Sequence, residues 1–104
     1  GRRLGKLSLP ATCVDIALSP DDHYVALGCR EATFGPPDVW LAETDTGHAR
    51  RLTTNPSGDG GPVWSPEGKS IFYARSRGVR MESDIYILNP ASPQDTRPVP
   101  LQTG

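Results

Sequence analysis

The sequence predicts an all-β chain of two four-stranded antiparallel units, and three observations predict it. The chain matches itself at a shift of 46 residues. Gly and Pro, 11 of each in 104 residues, are spread between short apolar runs, which is the punctuation of many turns and not of a disordered linker. No segment sustains a helical period.

The repeat keeps one register over four blocks. Ser19-Pro20-Asp21 falls on Ser65-Pro66-Glu67, and Tyr24-Val25-Ala26-Leu27 on Ser70-Ile71-Phe72-Tyr73. Asp38-Val39-Trp40-Leu41 falls on Asp84-Ile85-Tyr86-Ile87, and Arg51 on Arg97. Each copy reads as four strands of ordinary length, over residues 13–18, 24–29, 38–43 and 49–53 and again over 62–64, 70–75, 84–89 and 96–101. The turns "SPDD", "SPEG", "TDTG" and "NPASPQD" separate them, with Pro, Asp and Gly where turn geometry wants them. Gly68 is expected at positive φ. The opening "GRRLGKLSL" reads as one more strand, so the chain divides into residues 1–9, which complete a neighbouring unit, 10–56 and 57–104.

The strands are apolar on both faces. Val14, Ile16 and Leu18 alternate with Cys13 and Ala17, and Ile71 and Tyr73 alternate with Phe72 and Ala74. A sheet wet on one face would carry a polar residue at every second position, so each of these sheets expects a neighbour on both sides. A four-stranded unit repeating at this period and stacked on its copies is a β-propeller blade. The stretch "RLTTNPSGDGGPVWSPEGKSIFYARS" followed by "SDIYIL", within residues 51–88, resembles the WD-repeat-like blades of TolB-type propellers. The same blades form the N-terminal propeller of prolyl-oligopeptidase-family serine peptidases, which "DVWLAETDTGHARRLT" is also similar to. Leu18 stands where the second copy has Trp64, and Asp22 where it has Gly68. The resemblance implies propeller architecture and lends no catalytic residue, because no G-x-S-x-G nucleophile elbow occurs in the chain.

Two blades are fewer than a closed ring needs. The apolar faces, with Val14, Ile16, Val25 and Leu27 on one blade and Trp64, Phe72, Tyr73 and Ile85 on the other, cannot all be covered within two blades, so the outer faces are expected to be buried in a homo-oligomer or by further blades of the same protein. The formal net charge of −1 supplies no basic field for nucleic acid. No apolar run reaches the ~18 residues of a membrane-spanning helix. The chain reads as soluble, of bacterial cytoplasm or periplasm. Two Cys and two His without a C-x-x-C give no zinc site, and the turn acids Asp21, Asp22 and Glu67 are too dispersed for calcium, so no metal or cofactor is expected. Ser65, His48 and Asp59 form a triad only on paper, since Ser65 belongs to a turn that Ser19 repeats.

Binding is expected on the rim formed by residues 30–37, 54–61 and 76–83, because loops at one end of a rigid scaffold are where such folds bind. Arg30, Glu31 and Phe34 from the first of these, and Arg75, Arg77, Arg80 and Glu82 from the last, suit an acidic protein or peptide ligand. Most such charges are simply solvated. Cys13 and Cys29 fall opposite each other if the "SPDD" hairpin pairs Leu18 with Tyr24, and the repeat maps them onto Asp59 and Arg75, a cross-strand ion pair. A disulfide is one reading. Two buried thiols acting as small hydrophobes is the favoured one, since the register can slip and directly opposed pairs strain the bond. Trp40 and Trp64 are expected to pack between blades. Two functions fit: a non-catalytic binding scaffold, and a piece of the propeller that gates a serine peptidase.

Overall fold

Two Ser-Pro-acid turns set the geometry of the whole chain. Ser19 N donates to Tyr24 O at 2.8 Å and Ser19 Oγ accepts from Tyr24 N at 3.1 Å; Ser65 repeats both bonds with Ser70, at 2.9 and 3.1 Å. The fourth residue of each turn bonds back to the Ser carbonyl and takes positive φ, Asp22 at 66° and Gly68 at 76°. Burial of Ser19 and Ser65 follows from this double use of each serine.

The computed structural model describes residues 12–31, 35–77 and 82–100. The strand expected over residues 1–9 lies outside the described residues, as do Phe34 and Arg80. Eight strands form in chain order: β1 (Thr12–Leu18), β2 (Tyr24–Arg30), β3 (Asp38–Glu43), β4 (Ala49–Arg51), β5 (Asp59–Trp64), β6 (Ile71–Ser76), β7 (Ser83–Asn89) and β8 (Ser92–Pro98). They make two antiparallel sheets, β1-β2-β3-β4 and β5-β6-β7-β8, each a four-stranded meander. No helix occurs among the described residues. Both first strands carry a bulge. Val14 has no partner on β2, and Gly61 and Pro62 together stand opposite Tyr73. A bulge bends its strand and increases the local twist.

The sheets pack face to face. Ala26, Val39, Leu41 and Leu52 of the first meet Ile71, Tyr73 and Leu88 of the second, with Ala17, Trp64 and Tyr86 at the margin. Burying a large apolar side chain contributes about 1.5–3 kcal/mol. Two polar bonds tie the first strands across this junction: Trp64 Nε1 to Ala17 O at 2.8 Å, and Gly61 N to Asp15 Oδ2 at 3.2 Å. Gly28 makes the second one possible, because a Cβ there would stand 2.8 Å from Asp15 Oδ2. The opposite face of the first sheet carries a second buried cluster of Val25, Leu27, Cys29, Trp40 and Ala42.

The structure corrects three expectations. Tyr73 and Trp64 pack at the junction between the blades rather than on an outer face, and on the outward face of the first blade Val25 and Leu27 are buried while the β1 residue Ile16, opposite Leu27, is 74% exposed; Val14 is 59% exposed. Leu18, Tyr24 and Val63 also keep large exposed areas. Next, β8 starts at Ser92 rather than at Thr96. Asn89 Oδ1 caps Ala91 N at 2.9 Å, which tightens the turn to Pro90–Ala91 and shifts the ladder between Ile87 and Asn89. Arg97 therefore pairs with Ile87, while Arg51 pairs with Trp40, so the 46-residue equivalence of the two arginines fails by one position. Finally, Cys13 and Cys29 are a disulfide and not two thiols. Their opposition in the ladder, with Cα atoms 4.0 Å apart, brings the sulfurs together.

Candidate functional site

The β4–β5 connection stitches the loops of both sheets into one rim. Asp59 N donates to Pro37 O at 2.7 Å, and Ser76 N to Gly58 O at 3.0 Å. Gly58 has φ 99° and faces Pro36 and Pro37 so closely that a Cβ would meet Pro37 Cδ at 3.1 Å. The rim is thus assembled from backbone contacts between residues far apart in the chain.

Three arginines stand along it, each with carboxylates. Arg75 holds the fully buried Asp59 in a bidentate pair, Nε to Oδ1 at 2.9 Å and Nη2 to Oδ2 at 3.2 Å. Its guanidinium lies 4.2 Å from the centroid of Tyr86, and Nη2 donates to Tyr73 Oη at 3.2 Å. Tyr73 and Tyr86 stack with centroids 5.9 Å apart. The bond to Asp59 makes Arg75 hold its proton more tightly than usual, and burial pushes the Tyr73 phenol up to about 12. Arg51 pairs with Glu31, lies 3.8 Å from Asp38 Oδ2 and covers Trp40 at 5.3 Å. Burial raises the Asp38 carboxyl above its ordinary range. Arg77 is the exposed member. It grips Asp84 at 2.6 and 3.1 Å and reaches Glu82 at 3.4 Å, and this bond holds the Asp84 carboxyl below the usual range.

The rim therefore gathers Glu31, Arg75, Arg77 and Glu82, as the loop positions imply, and adds Asp38, Arg51, Asp59 and Asp84. Arg30 ends β2 with its Nε buried and without a hydrogen-bond partner among the described residues. Only Asp59 and Arg75 of the added pairings had a sequence signal, their equivalence to the two cysteines. The match of Arg51 with Glu31 had none, because it joins a loop to the last strand of the same sheet. No group of three or more His, Cys, Asp or Glu that could hold a metal occurs among the described residues. Among the described residues no helix is long and apolar enough to cross a membrane.

Comparison with known proteins agrees with this geometry. No family model matches the chain. The Tol-Pal system protein TolB of Francisella tularensis subsp. holarctica is 36% identical over 74 residues, which is 71% of this chain and 17% of that protein. An uncharacterized peptidase of Bacillus subtilis, YuxL, is 38% identical over 61 residues, 58% of this chain and 9% of its own length. The chain thus spans about a sixth of the TolB relative. Among solved structures, TolB from Acinetobacter baumannii superposes with a TM-score of 0.73 at 23% identity, over 94% of this chain and 23% of that one. The β-propeller domain of the Trilobed protease from Pyrococcus furiosus gives 0.63 at 14%, over 85% and 29%. At these identities the structural likeness speaks for the fold alone.

Proposed function

We propose, from the premise that the two sheets are TolB-type β-propeller blades, that this chain is a non-catalytic propeller segment that binds a protein or peptide on its loop rim. The observation that carries the reading is the stitched rim itself. Three backbone-anchored loops present alternating acids and arginines on a rigid support, and such a surface selects partners by charge and register. Arg77 with Glu82 and Asp84 is its most accessible part, Arg30 and Glu31 belong to it, and Phe34 and Arg80, outside the described residues, are further binding candidates. Arg75 acts beneath it by holding Asp59.

The ring around this rim is completed by further blades, from copies of this chain or from the rest of a longer one. Two features support that reading. Ile16 and Val63 lie exposed on the two outward faces. On the outward face of the first blade, Trp40 Nε1, Arg51 Nε and Asp38 Oδ1 are buried without hydrogen-bond partners among the described residues. Residues 1–9 would then complete a neighbouring blade, with residues 10–56 and 57–104 as the two blades. The Cys13–Cys29 disulfide favours an oxidising compartment, the periplasm over the cytoplasm. The likeness to YuxL keeps a second reading in view, the gating propeller of a prolyl-oligopeptidase-family peptidase.

Titration of the chain with an acidic and a basic synthetic peptide, followed by amide NMR shifts, tests the first reading. Saturable shifts at Arg77, Glu82 and Asp84 are expected, and they weaken on Arg77→Glu. Absence of any saturable shift on this rim refutes it. Hydrolysis of a chromogenic prolyl substrate by the full-length product carrying these blades would favour the peptidase reading instead.

A further inference from the structure

A cleft of about 430 Å³ opens between the blades at the end of the molecule opposite the loop rim, within the size range of small-ligand sites. Trp64 and Leu41 form its apolar floor and Tyr24 one wall, while Arg50 and Lys69 supply one cation from each blade. Three contacts fix this frame. The Trp64 indole N–H is tied to Ala17 O at 2.8 Å, which fixes the side chain where it lines the cleft. Arg50 Nη2 donates to Pro90 O at 2.9 Å, which orients the guanidinium and leaves it further N–H donors. At Gly68 a Cβ would meet Pro20 Cδ at 3.4 Å, so the two Ser-Pro turns close on each other beside the opening.

Arg51, Arg75 and Arg77 of the loop rim are already paired with carboxylates within the molecule. The cations of this cleft are not: Lys69 has no ionic partner among the described residues, and Arg50 has only a carbonyl. A second hollow of about 170 Å³ is lined by the same Tyr24, Leu41 and Arg50 together with Glu43 and His48. Two hollows that share these residues suit an extended ligand. Glu43 there repels a second carboxylate and accepts a backbone N–H.

We propose that this inter-blade cleft is a second binding site, which takes an extended peptide carrying one acidic residue beside one aliphatic residue. The carboxylate meets Arg50 and Lys69, the aliphatic side chain lies on Trp64 and Leu41, and the flanking backbone runs toward Glu43. The site is built wholly from these two blades and is independent of the loop rim.

The test is an amide NMR titration of the full chain with acetyl-Gly-Asp-Leu-Gly-amide, with versions carrying Asn or Lys in place of Asp, and with hexanoate. Saturable shifts at the Trp64 indole N–H, Lys69 and Ala91 are expected for the Asp peptide. Loss of a charge-assisted bond should weaken it about tenfold in the Asn peptide and in the Lys69→Glu chain, whose exposed turn position leaves the fold's spectrum intact. Arg50→Gln should act in the same direction. Lack of saturation, equal binding of the Lys peptide, indifference to Lys69→Glu, hexanoate binding as tightly as the peptide, or shifts confined to Arg77 and Glu82 would each overturn the proposal.

Discussion

The two blades close the same rung by different chemistry. In the first, Cys13 on β1 and Cys29 on β2 face each other and are covalently joined. In the second, Asp59 on β5 and Arg75 on β6 occupy the corresponding places and form a bidentate ion pair. Both rungs lie near the bulge of the first strand, immediately before it in the first blade and one pair before it in the second. The exchange has a consequence one strand away. Each blade covers the aromatic residue of its third strand with an arginine, but the arginine differs in origin. Arg75 covers Tyr86 from the second strand, and Arg51 covers Trp40 from the fourth, because the second-strand place is taken by Cys29. The one-residue slip of β8 matches this: with Arg75 in place, Pro98 rather than Arg97 stands beside Tyr86. What the blade requires is a tie and a cationic lid; which residues supply them is free.

Breaking the ionic rung should have the largest effect. Arg75→Met leaves Asp59 buried without its side-chain partner among the described residues, and removing one member of a buried pair costs about 3–5 kcal/mol. Arg75 is one quarter exposed, so the lower end is expected, read as a shift in the urea midpoint. The double change Asp59→Leu with Arg75→Met should cost less than the single one, since no buried charge remains.

The covalent rung comes next. A disulfide closing a loop of sequence separation 16 stabilises by about 2–3 kcal/mol on loop-entropy grounds. Denaturation with and without dithiothreitol should show that loss. The chain carrying Cys13→Ser and Cys29→Ser should be equally weakened and blind to the reductant.

An alkaline limb separates the blades further. Burial, and then the charge of Asp59, raise the Tyr73 phenol from 10.0 to about 12, so the fold prefers the neutral form. Its contribution is whole below pH 10 and is lost as pH rises from 10 through about 12, a loss on the order of 2 kcal/mol. The corresponding residue of the first blade is Leu27, which does not titrate. Tyr73→Phe should flatten that limb of the stability profile. An unchanged limb would mean that Tyr73 is not the group responsible.

The smallest difference lies in the two Ser-Pro turns. Gly68→Val should cost about 1–2 kcal/mol, because an L side chain at φ 76° is strained. Asp22→Gly at φ 66° should change stability by less than about 0.5 kcal/mol, relief of strain being offset by the greater freedom of the unfolded chain. Equal costs would show that the turns are not equivalent.

Much of this comparison was legible in the sequence. The shift of 46 residues gives the blades, the turns and the opposition of both rung pairs, since hairpin register follows from turn geometry. It favoured two buried thiols over the disulfide, because register alone shows that two cysteines face each other and not that they are bonded. It misplaced Arg97, because the tight β7–β8 turn and the irregularity between Ile87 and Asn89 put Arg97 opposite Ile87 rather than Tyr86. The rim pairings of Arg51 and Arg77 were hidden for another reason. They depend on side chains from separate loops, and spacing along the chain carries no record of that. The inter-blade cleft was invisible too, since its lining comes from several strands and turns of both blades.

The central claim is that each outward face is half of an interface that another blade completes. Sedimentation velocity of the 104-residue chain at micromolar concentration tests it most directly. The account predicts discrete species heavier than the 11.2 kDa monomer, reduced to monomer by Ile16→Glu or Val63→Glu on the two outward faces. A stable, well-folded monomer with Ile16 and Val63 in water would contradict it.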